Sequence, residues 1–285
     1  MILDGHVHIR EMGGDPAATL DGMKQAGVDG GTIISLAPPC FSGKDTNDAS
    51  ERLDDVMRWT AGSENLFPFF WIDPTEDGAP DQVARGVERG VAGFKVICDH
   101  FHPGEDRAMG VYAAIAKAGK PMLFHSGILW DHKASGQYCR PVGFEPLLGV
   151  EGLRFMLAHI SWPWVDECIA VYGKFLAACA PRPELSAEMF IDVTPGTPPI
   201  YRRDALTKLF TVGYDVERNM VFGTDCNANA YNHAWARDWL ERDTAIYEEL
   251  GLAPDVLEQI HCENLRRFVG ISSATVEHRG LRPGQ

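Results

Sequence analysis

The most constraining feature of this sequence is a regular alternation of short apolar segments with longer amphipathic segments. The apolar segments recur at intervals of about 30 residues, the length of a strand–helix unit. They are hydrophobic almost throughout rather than at every second position, which indicates parallel strands buried on both faces. Eight strands are predicted, at 2–9, 31–36, 66–72, 93–98, 121–125, 153–159, 189–193 and 220–224.

The segments between these strands have the periodicity and the end signals of α-helices. Asp15 precedes Pro16, which is a helix cap followed by a proline in the first turn. Gly27 and Gly251 follow helical segments in the position of C-terminal caps. The predicted helices are 16–26, 48–61, 80–89, 109–118, 165–180, 201–212, 234–250 and 254–269.

Eight strands that are each followed by a helix predict an α/β fold, specifically a (β/α)8 TIM barrel. A doubly wound open sheet shows the same repeat and is the alternative. No Gly/Ser-rich linker divides the chain, so residues 1–285 are expected to form a single domain. Within it, helix 254–269 is an addition after the barrel helices. The longest irregular segment, 126–149, follows the fifth strand, where long loops usually shape an active site.

Composition narrows the functional classes. The net charge is −14, from 40 acidic and 26 basic residues, which disfavours nucleic-acid or membrane partners and leaves a small-molecule substrate as the expected partner. There is neither a membrane-spanning apolar run nor a secretory signal pattern. The seven cysteines are scattered along the sequence without a disulfide-like spacing, so we expect them to be reduced thiols. Reduced cysteines predict a cytoplasmic protein. A homo-oligomer is compatible with this composition and charge.

Four histidines and one aspartate lie at the ends of predicted strands. His6 and His8 are on the first strand, His125 ends the fifth, His159 ends the sixth and Asp225 follows the eighth. The C-terminal strand ends of a barrel meet at one mouth, where active sites form. Residues i and i+2 of a strand point to the same side, so both imidazoles of the first strand face the interior.

This set of donors suits a catalytic metal ion. Three histidines (His6, His8 and His125) and the carboxylate of Asp225 favour one divalent ion, with zinc first and manganese also compatible, and leave a position for water. His159 beside such an ion is predicted to be a general acid or base, because an ordinary imidazole pKa lies near neutrality. The alternatives are hydrogen-bonded core histidines and, for Asp225, a helix cap.

These motifs resemble the amidohydrolase superfamily, in particular its branch of metal-dependent TIM-barrel hydrolases and decarboxylases. The resemblance extends over about residues 1–270 and rests on residues 4–8 (DGHVH), 123–127 (LFHSG), 157–159 (LAH), 222–225 (FGTD), 93–96 (GFKV) and 263–268 (ENLRRF). It implies that His6, His8 and His125 are metal ligands. It implies that Asp225 is a ligand or proton acceptor, and that His159 polarises the substrate or moves a proton.

Some members of the superfamily use a carboxylated lysine on the fourth strand to bridge two metal ions. Lys95 lies on that strand, where pairing inside the barrel is the favoured alternative. The following loop departs from the common pattern of the branch. His100 and His102 repeat the spacing of the first-strand histidines there, but in a loop that spacing fixes no common direction.

The loops after the fifth and sixth strands supply candidate substrate contacts. Arg140 is predicted to clamp a carboxylate with paired hydrogen bonds, with a solvated loop arginine as the alternative. Arg10 is a second candidate anion contact. Trp130, together with Trp162 and Trp164, is predicted to form an apolar stacking wall, or else to be ordinary packing.

The sequence therefore predicts a metal-dependent hydrolase that acts on a small, carboxylated lactone, amide or ester through a metal-activated water. The alternative is a metal-dependent non-oxidative decarboxylase of an aromatic or enol carboxylic acid, because the same residues serve both reactions. A barrel with a vestigial site is disfavoured by the complete set of four histidines and one aspartate.

Overall fold

The chain folds around a curled parallel sheet, seen in a computed structural model that describes residues 1–42, 48–182 and 185–271. The nine strands of these residues lie in the order β8-β7-β6-β5-β4-β3-β2-β1-β9, and every pairing is parallel. The strands are β1 (Leu3–His8), β2 (Gly30–Ile34), β3 (Leu66–Trp71), β4 (Gly93–Val96), β5 (Met122–Phe124), β6 (Arg154–Leu157), β7 (Glu188–Asp192), β8 (Met220–Val221) and β9 (Cys226–Asn227).

Helices follow the strands along the chain. They are α1 (Pro16–Ala26), α2 (Pro39–Ser42), α3 (Ala49–Thr60), α4 (Ala79–Arg89), α5 (Asp106–Lys117), α6 (Val165–Cys179), α7 (Pro199–Thr211), α8 (His233–Glu249), α9 (Pro254–Glu258) and α10 (Asn264–Val269). A π-helical turn joins α9 to α10, so the predicted helix 254–269 is a composite of three segments. Across the described residues, no helix is both long and apolar enough to cross a membrane.

The strand order decides between the two architectures that the sequence left open. A doubly wound sheet reverses its order at a switch point, and this sheet runs from β8 to β1 without a reversal. The doubly wound alternative is therefore wrong. All eight predicted strands are present, whereas β9 and α2 were not predicted, because two- and four-residue elements carry too little periodicity to be recognised.

The segment after β8 runs beside β1. Gly5 N donates to Phe222 O at 2.8 Å, and Asp225 N donates to His6 O at 2.9 Å. Four residues beyond Phe222, β9 pairs with the end of β1. These contacts place Asp225 next to the histidines of the first strand.

The apolar core has two parts. The larger part includes side chains from the strands and from the helices α1, α3, α5 and α6. The smaller part combines alternate strand residues with α10, whose Phe268 packs against Phe69 and Phe190 at ring-centroid distances of 6.1 and 5.0 Å. The additional C-terminal helix thus supplies part of this second core.

A buried ion pair fixes the helices that follow β7. Arg202 of α7 donates through Nε to Asp243 Oδ1 of α8 at 2.8 Å, and both side chains are 1% exposed. Arg202 also donates to Val193 O, just after β7. Because a buried charge is costly without its partner, this pair ties the end of β7 to two helices.

We expect Arg202→Met to lower the free energy of unfolding by about 3–5 kcal/mol, because it leaves the Asp243 carboxylate buried and unpaired. The double variant Arg202→Met/Asp243→Leu removes both charges and should recover most of that loss. Urea unfolding of the two single variants and the double variant measures the coupling. If the double variant loses as much free energy of unfolding as the two single variants together, the proposed role of the ion pair is contradicted.

Candidate active site

A cavity of about 410 Å³ lies where the C-terminal ends of the strands meet. Its polar lining comes from residues on or just after β1, β4, β5, β6 and β8, and its apolar lining is largely aromatic. Four histidines, Lys95, Arg10 and Asp225 all line it. The strand ends therefore bring together the titratable residues that the sequence analysis placed there.

The side chains of β1 converge with Asp225. His6 Nε2 and His8 Nε2 are 3.0 Å apart, and Asp225 Oδ1 lies 3.8 Å from His8 Nε2. One ligand atom from each of these three residues lies within 4.8 Å of the other two. Asp225 adopts a left-handed backbone conformation with φ 56°, which an aspartate adopts only at a cost and which is frequent at functional sites.

Asp192 orients the imidazole of His6 and is a residue that the sequence analysis missed. His6 Nδ1 donates to Asp192 Oδ2 at 2.6 Å, and the carboxylate also accepts from the backbone N of Thr194 at 2.6 Å. This bond leaves the Nε2 lone pair of His6 facing the cavity, as at many metal-binding histidines. The only signal in the sequence was a single carboxylate at the end of an apolar strand.

A second buried carboxylate, Asp4, joins β1 to the segment that carries Asp225. Asp4 accepts from Thr224 Oγ1 at 2.5 Å and from the Tyr231 hydroxyl at 2.9 Å, and it also accepts from His6 N at 3.1 Å. Burial raises the pKa of Asp4 to about 7 despite these hydrogen bonds. The network fixes how closely Asp225 approaches the histidines of β1.

His125 and His159 form the far side of the centre. Their ring centroids are 5.0 Å apart, and the ring of His159 lies 5.4 Å from that of His6. Among the described residues, His125 Nε2 and His159 Nδ1 are buried without a hydrogen-bond partner. Buried polar atoms are rarely left unpaired, so these two nitrogens are free for a ligand that is bound in the cavity.

The sequence predicted that His159 ends the sixth strand, and this prediction is wrong. Strand β6 ends at Leu157, and His159 lies in a 3₁₀ turn (Ala158–Ser161) with φ 63°. Gly196 permits this position, because a Cβ there would lie 2.6 Å from the Cβ of His159. Gly223 has the same role opposite His6, because a Cβ at Gly223 would lie 3.0 Å from the Cβ of His6. Two glycines thus allow neighbouring backbone segments to approach the histidines closely.

Burial keeps the imidazoles neutral. It lowers the pKa of His6, His8 and His125 well below the ordinary value and lowers that of His159 to about 4. Neutral imidazoles are the form that binds metal ions. For the same reason the pKa of Asp225 rises to about 6.

Lys95 reaches the centre. It is fully buried, and its Nζ lies 3.4 Å from His6 Nε2. Burial lowers its pKa to about 8. No ion pair within 4.0 Å joins Lys95 to an acidic side chain in the described parts of the chain, so the pairing inside the barrel that the sequence favoured takes the form of the contact with His6.

The predicted substrate contacts separate into two groups. Trp130, which is 83% exposed, lines the cavity together with Trp162 and Arg10. Arg140 does not line it: its guanidinium donates to Glu167 Oε2 at 2.6 Å and stacks on Trp164. The loop after β5 turns Arg140 outward, so Arg10 is the arginine that lines the cavity among the residues that the structure describes. Its terminal nitrogen lies 3.7 Å from Asp225 Oδ1.

Comparisons with known proteins agree with this fold. A 2,6-dihydroxybenzoate decarboxylase complexed with 2,6-dihydroxybenzoate is 14% identical with a TM-score of 0.60, over 94% of this chain and 99% of that chain. An amidohydrolase from Burkholderia multivorans with bound zinc is 10% identical with a TM-score of 0.65, over 94% of this chain and 99% of that chain. A dihydroorotase from Campylobacter jejuni is 13% identical with a TM-score of 0.58, over 96% and 84%. At such identities the likeness shows the fold alone.

The sequence comparisons address the family directly. A search of curated protein sequences finds no match. The family model described as amidohydrolase matches residues 4–271, nearly the whole chain. This match confirms the resemblance carried by the strand-end motifs. The chain belongs to the amidohydrolase family.

Proposed function

We propose that this protein is a metal-dependent hydrolase of a small carboxylated lactone, amide or ester. The observation that carries the proposal is the convergence of His6, His8 and Asp225 within 4.8 Å of one another, in a cavity of about 410 Å³. Neutral imidazoles and a carboxylate at such spacing form a set of donors that suits a catalytic metal ion. A site that only stabilised the fold would not need to open to a cavity.

The residues of the centre fit one divalent ion. His6, His8, His125 and Asp225 would hold it, and the unpartnered Nε2 of His125 supports including that residue. The nitrogen-rich set favours zinc and is compatible with manganese. When bound, such an ion lowers the pKa of water to roughly 7 and polarises a carbonyl oxygen.

The protein's own groups would orient the substrate and move protons. The carboxylate of Asp225 faces the cavity and would accept the proton of the attacking water. His159 would polarise the scissile carbonyl or deliver a proton, since its Nδ1 has no partner among the described residues. Asp192 would keep the lone pair of His6 directed at the ion. Each role uses an atom that already faces the centre.

The lining of the cavity indicates the substrate class. Arg10 supplies a guanidinium at the cavity wall, which suits a carboxylate. Phe41, Trp71, Trp130 and Trp162 supply aromatic surface, which suits a planar apolar body. The substrate is therefore a compact, planar molecule with one anionic group.

The supporting fold is, in this proposal, a closed (β/α)8 barrel. The hydrogen bonds of Gly5 with Phe222 and of Asp225 with His6 support closure between β8 and β1. So does the pairing of β9 with β1. Closure would fix the distance from Asp225 to the histidines of β1, on which the metal centre depends.

Decarboxylation is the second candidate. The aromatic wall favours it, because a flat wall also suits an aromatic carboxylic acid. The likeness to a 2,6-dihydroxybenzoate decarboxylase is consistent with it but shows only a shared fold. In that reaction the ion and Arg10 would hold the carboxylate while His159 or Asp225 protonates the carbon that loses carbon dioxide.

Product analysis distinguishes the two reactions. We expect a screen of metal-loaded protein against lactones and aromatic or enol carboxylates to reveal hydrolysis, with one oxygen atom from labelled water in the product. Mass spectrometry of the products and measurement of carbon dioxide provide the readouts. Release of carbon dioxide without incorporation of labelled oxygen would establish the decarboxylase instead.

Substitution of the proposed ligands should separate metal binding from proton transfer. His6→Ala, His8→Ala and His125→Ala each remove a ligand, so the ion of this centre should be lost or weakened. His159→Asn should retain the ion and lower kcat by about 10²–10⁴-fold, as expected for a lost acid or base. Asp225→Asn should impair both metal binding and turnover.

The metal content, by elemental analysis, and the turnover of each variant are measured on the same preparations. If the His159→Asn variant loses the ion, His159 is a metal ligand. If that variant keeps both the ion and full activity, the role of His159 is structural only.

Replacement of the cavity arginine tests the anion contact. Arg10→Ala should reduce kcat/KM for a carboxylated substrate by about 10- to 150-fold, because a charge-assisted contact is lost. Arg140→Ala is the matched control and should change kcat/KM little, since Arg140 pairs with Glu167 outside the cavity. Circular dichroism checks that both variants fold. The assignment fails if Arg140→Ala shows the larger loss.

A further inference from the structure

A second group of side chains of the types that bind metal ions lies outside the cavity, in the segments after β2 and β3. Cys40 belongs to α2, and Asp73 and Glu76 follow β3. One ligand atom from each lies within 4.8 Å of the other two. None of the three lines the candidate active site, so this group is separate from the one already described.

A histidine from a third loop lies beside one member of this group, Asp73, and its Nε2 is also 3.2 Å from Thr75 Oγ1. His100 Nε2 lies 3.4 Å from Asp73 Oδ2, and His100 Nδ1 donates to Asp99 Oδ1 at 2.5 Å. Asp99 is itself held by Lys133 Nζ at 2.7 Å. A carboxylate that holds one ring nitrogen while the other faces a group of donors is the usual arrangement of a metal-binding histidine. The loop thus gives His100 the direction that its spacing in the sequence could not.

Gln82 supplies an independent sign that a ligand belongs here. Its side chain is 6% exposed, and its Nε2 donates to Glu76 Oε2 at 2.9 Å. Its Oε1 is buried and has no hydrogen-bond partner among the described residues. A buried acceptor without a donor costs about 1–3 kcal/mol. A cation, or water bound to one, would satisfy this oxygen.

The charges of the group also favour a cation. Asp73 is 4% exposed, and neither Asp73 nor Glu76 forms an ion pair with a lysine or arginine in the described ranges. Arg52 interacts electrostatically with Glu76 and Cys40, but its guanidinium donates its hydrogen bonds to two backbone carbonyl oxygens. Two carboxylates and a thiol thus share a site in which no lysine or arginine of the described residues forms an ion pair with either carboxylate.

We propose that Cys40, Asp73, Glu76 and His100 bind a second divalent ion, of the zinc type. Sulfur, nitrogen and carboxylate oxygen together favour zinc over magnesium or calcium, which prefer oxygen alone. The thiol proton of Cys40 passes to solvent as the sulfur–metal bond forms. Four protein ligands leave no open position, so the ion is structural rather than catalytic.

The position of this site gives the ion a defined effect. Phe41, the neighbour of Cys40, lines the cavity and packs on Trp71 at a ring-centroid distance of 4.8 Å. Cys40 is the ligand contributed by α2, a helix of only four residues. A metal bond to Cys40 would anchor that helix and hold Phe41 in the aromatic wall.

Cobalt(II) provides a selective probe, because a thiolate bound to cobalt gives a charge-transfer absorption in the near ultraviolet. Of the two proposed metal sites, only the second contains a cysteine, so this band distinguishes it from the catalytic centre. We expect the full chain to develop the band on titration and Cys40→Ser to lose it together with one bound cobalt. Cys179→Ser, which alters a half-buried thiol elsewhere, and His6→Ala should both keep the band. No band, or a band that survives in Cys40→Ser, overturns the proposal whatever becomes of the catalytic centre.

Alkylation of the thiol gives a second readout. Cys40 is exposed, and zinc should slow its reaction with iodoacetamide about tenfold or more, because bound thiolate is shielded from the reagent. Magnesium should not protect it. Gln82→Leu should weaken cobalt binding by about 10- to 100-fold, as loss of a supporting polar partner does. Peptide mass spectrometry reports the rate at Cys40, and equal rates with and without zinc contradict the proposal.

Discussion

The candidate centre depends on the buried carboxylate of Asp4. It accepts hydrogen bonds from Thr224 and Tyr231 while it lies on β1, two residues before His6. This contact brings residues 222–225 alongside β1 and sets the separation of Asp225 from His8. The alternation of side chains along a strand then makes both histidines face the same point. The convergence of the candidate ligands therefore follows from one buried network and the geometry of β1.

Much of this could be predicted from the sequence, because the signals are local. The apolar strand segments and the spacing of His6 and His8 identify the parallel strands and the side on which the histidines lie. Asp192 could not be predicted as the partner of His6, since 186 residues separate them. The left-handed turn at His159 and the outward direction of Arg140 also depend on packing against distant segments. The sequence thus indicates which strand ends matter, and tertiary contacts decide which side chains reach the cavity.

The charges of the cavity differ from those of the whole chain. The chain has a net charge of −14, yet Lys95 and Arg10 both line the cavity beside neutral imidazoles. A local cation in a partly buried cavity acts on a ligand more strongly than distant surface charges do, because those are screened. An anionic substrate is therefore compatible with an acidic protein. Under the proposed function, the aromatic side chains of the same cavity would favour a flat substrate.

The central claim is that the strand ends form one metal centre, and anomalous scattering from crystals of zinc-loaded protein tests it most directly. The account predicts an anomalous peak at bonding distance, about 2.0–2.2 Å, from the ring nitrogens of His6 and His8 and from an oxygen of Asp225. His159 should lie close by without bonding to the ion. Absence of a peak at this position, or two peaks bridged by a modified Lys95, would contradict the account.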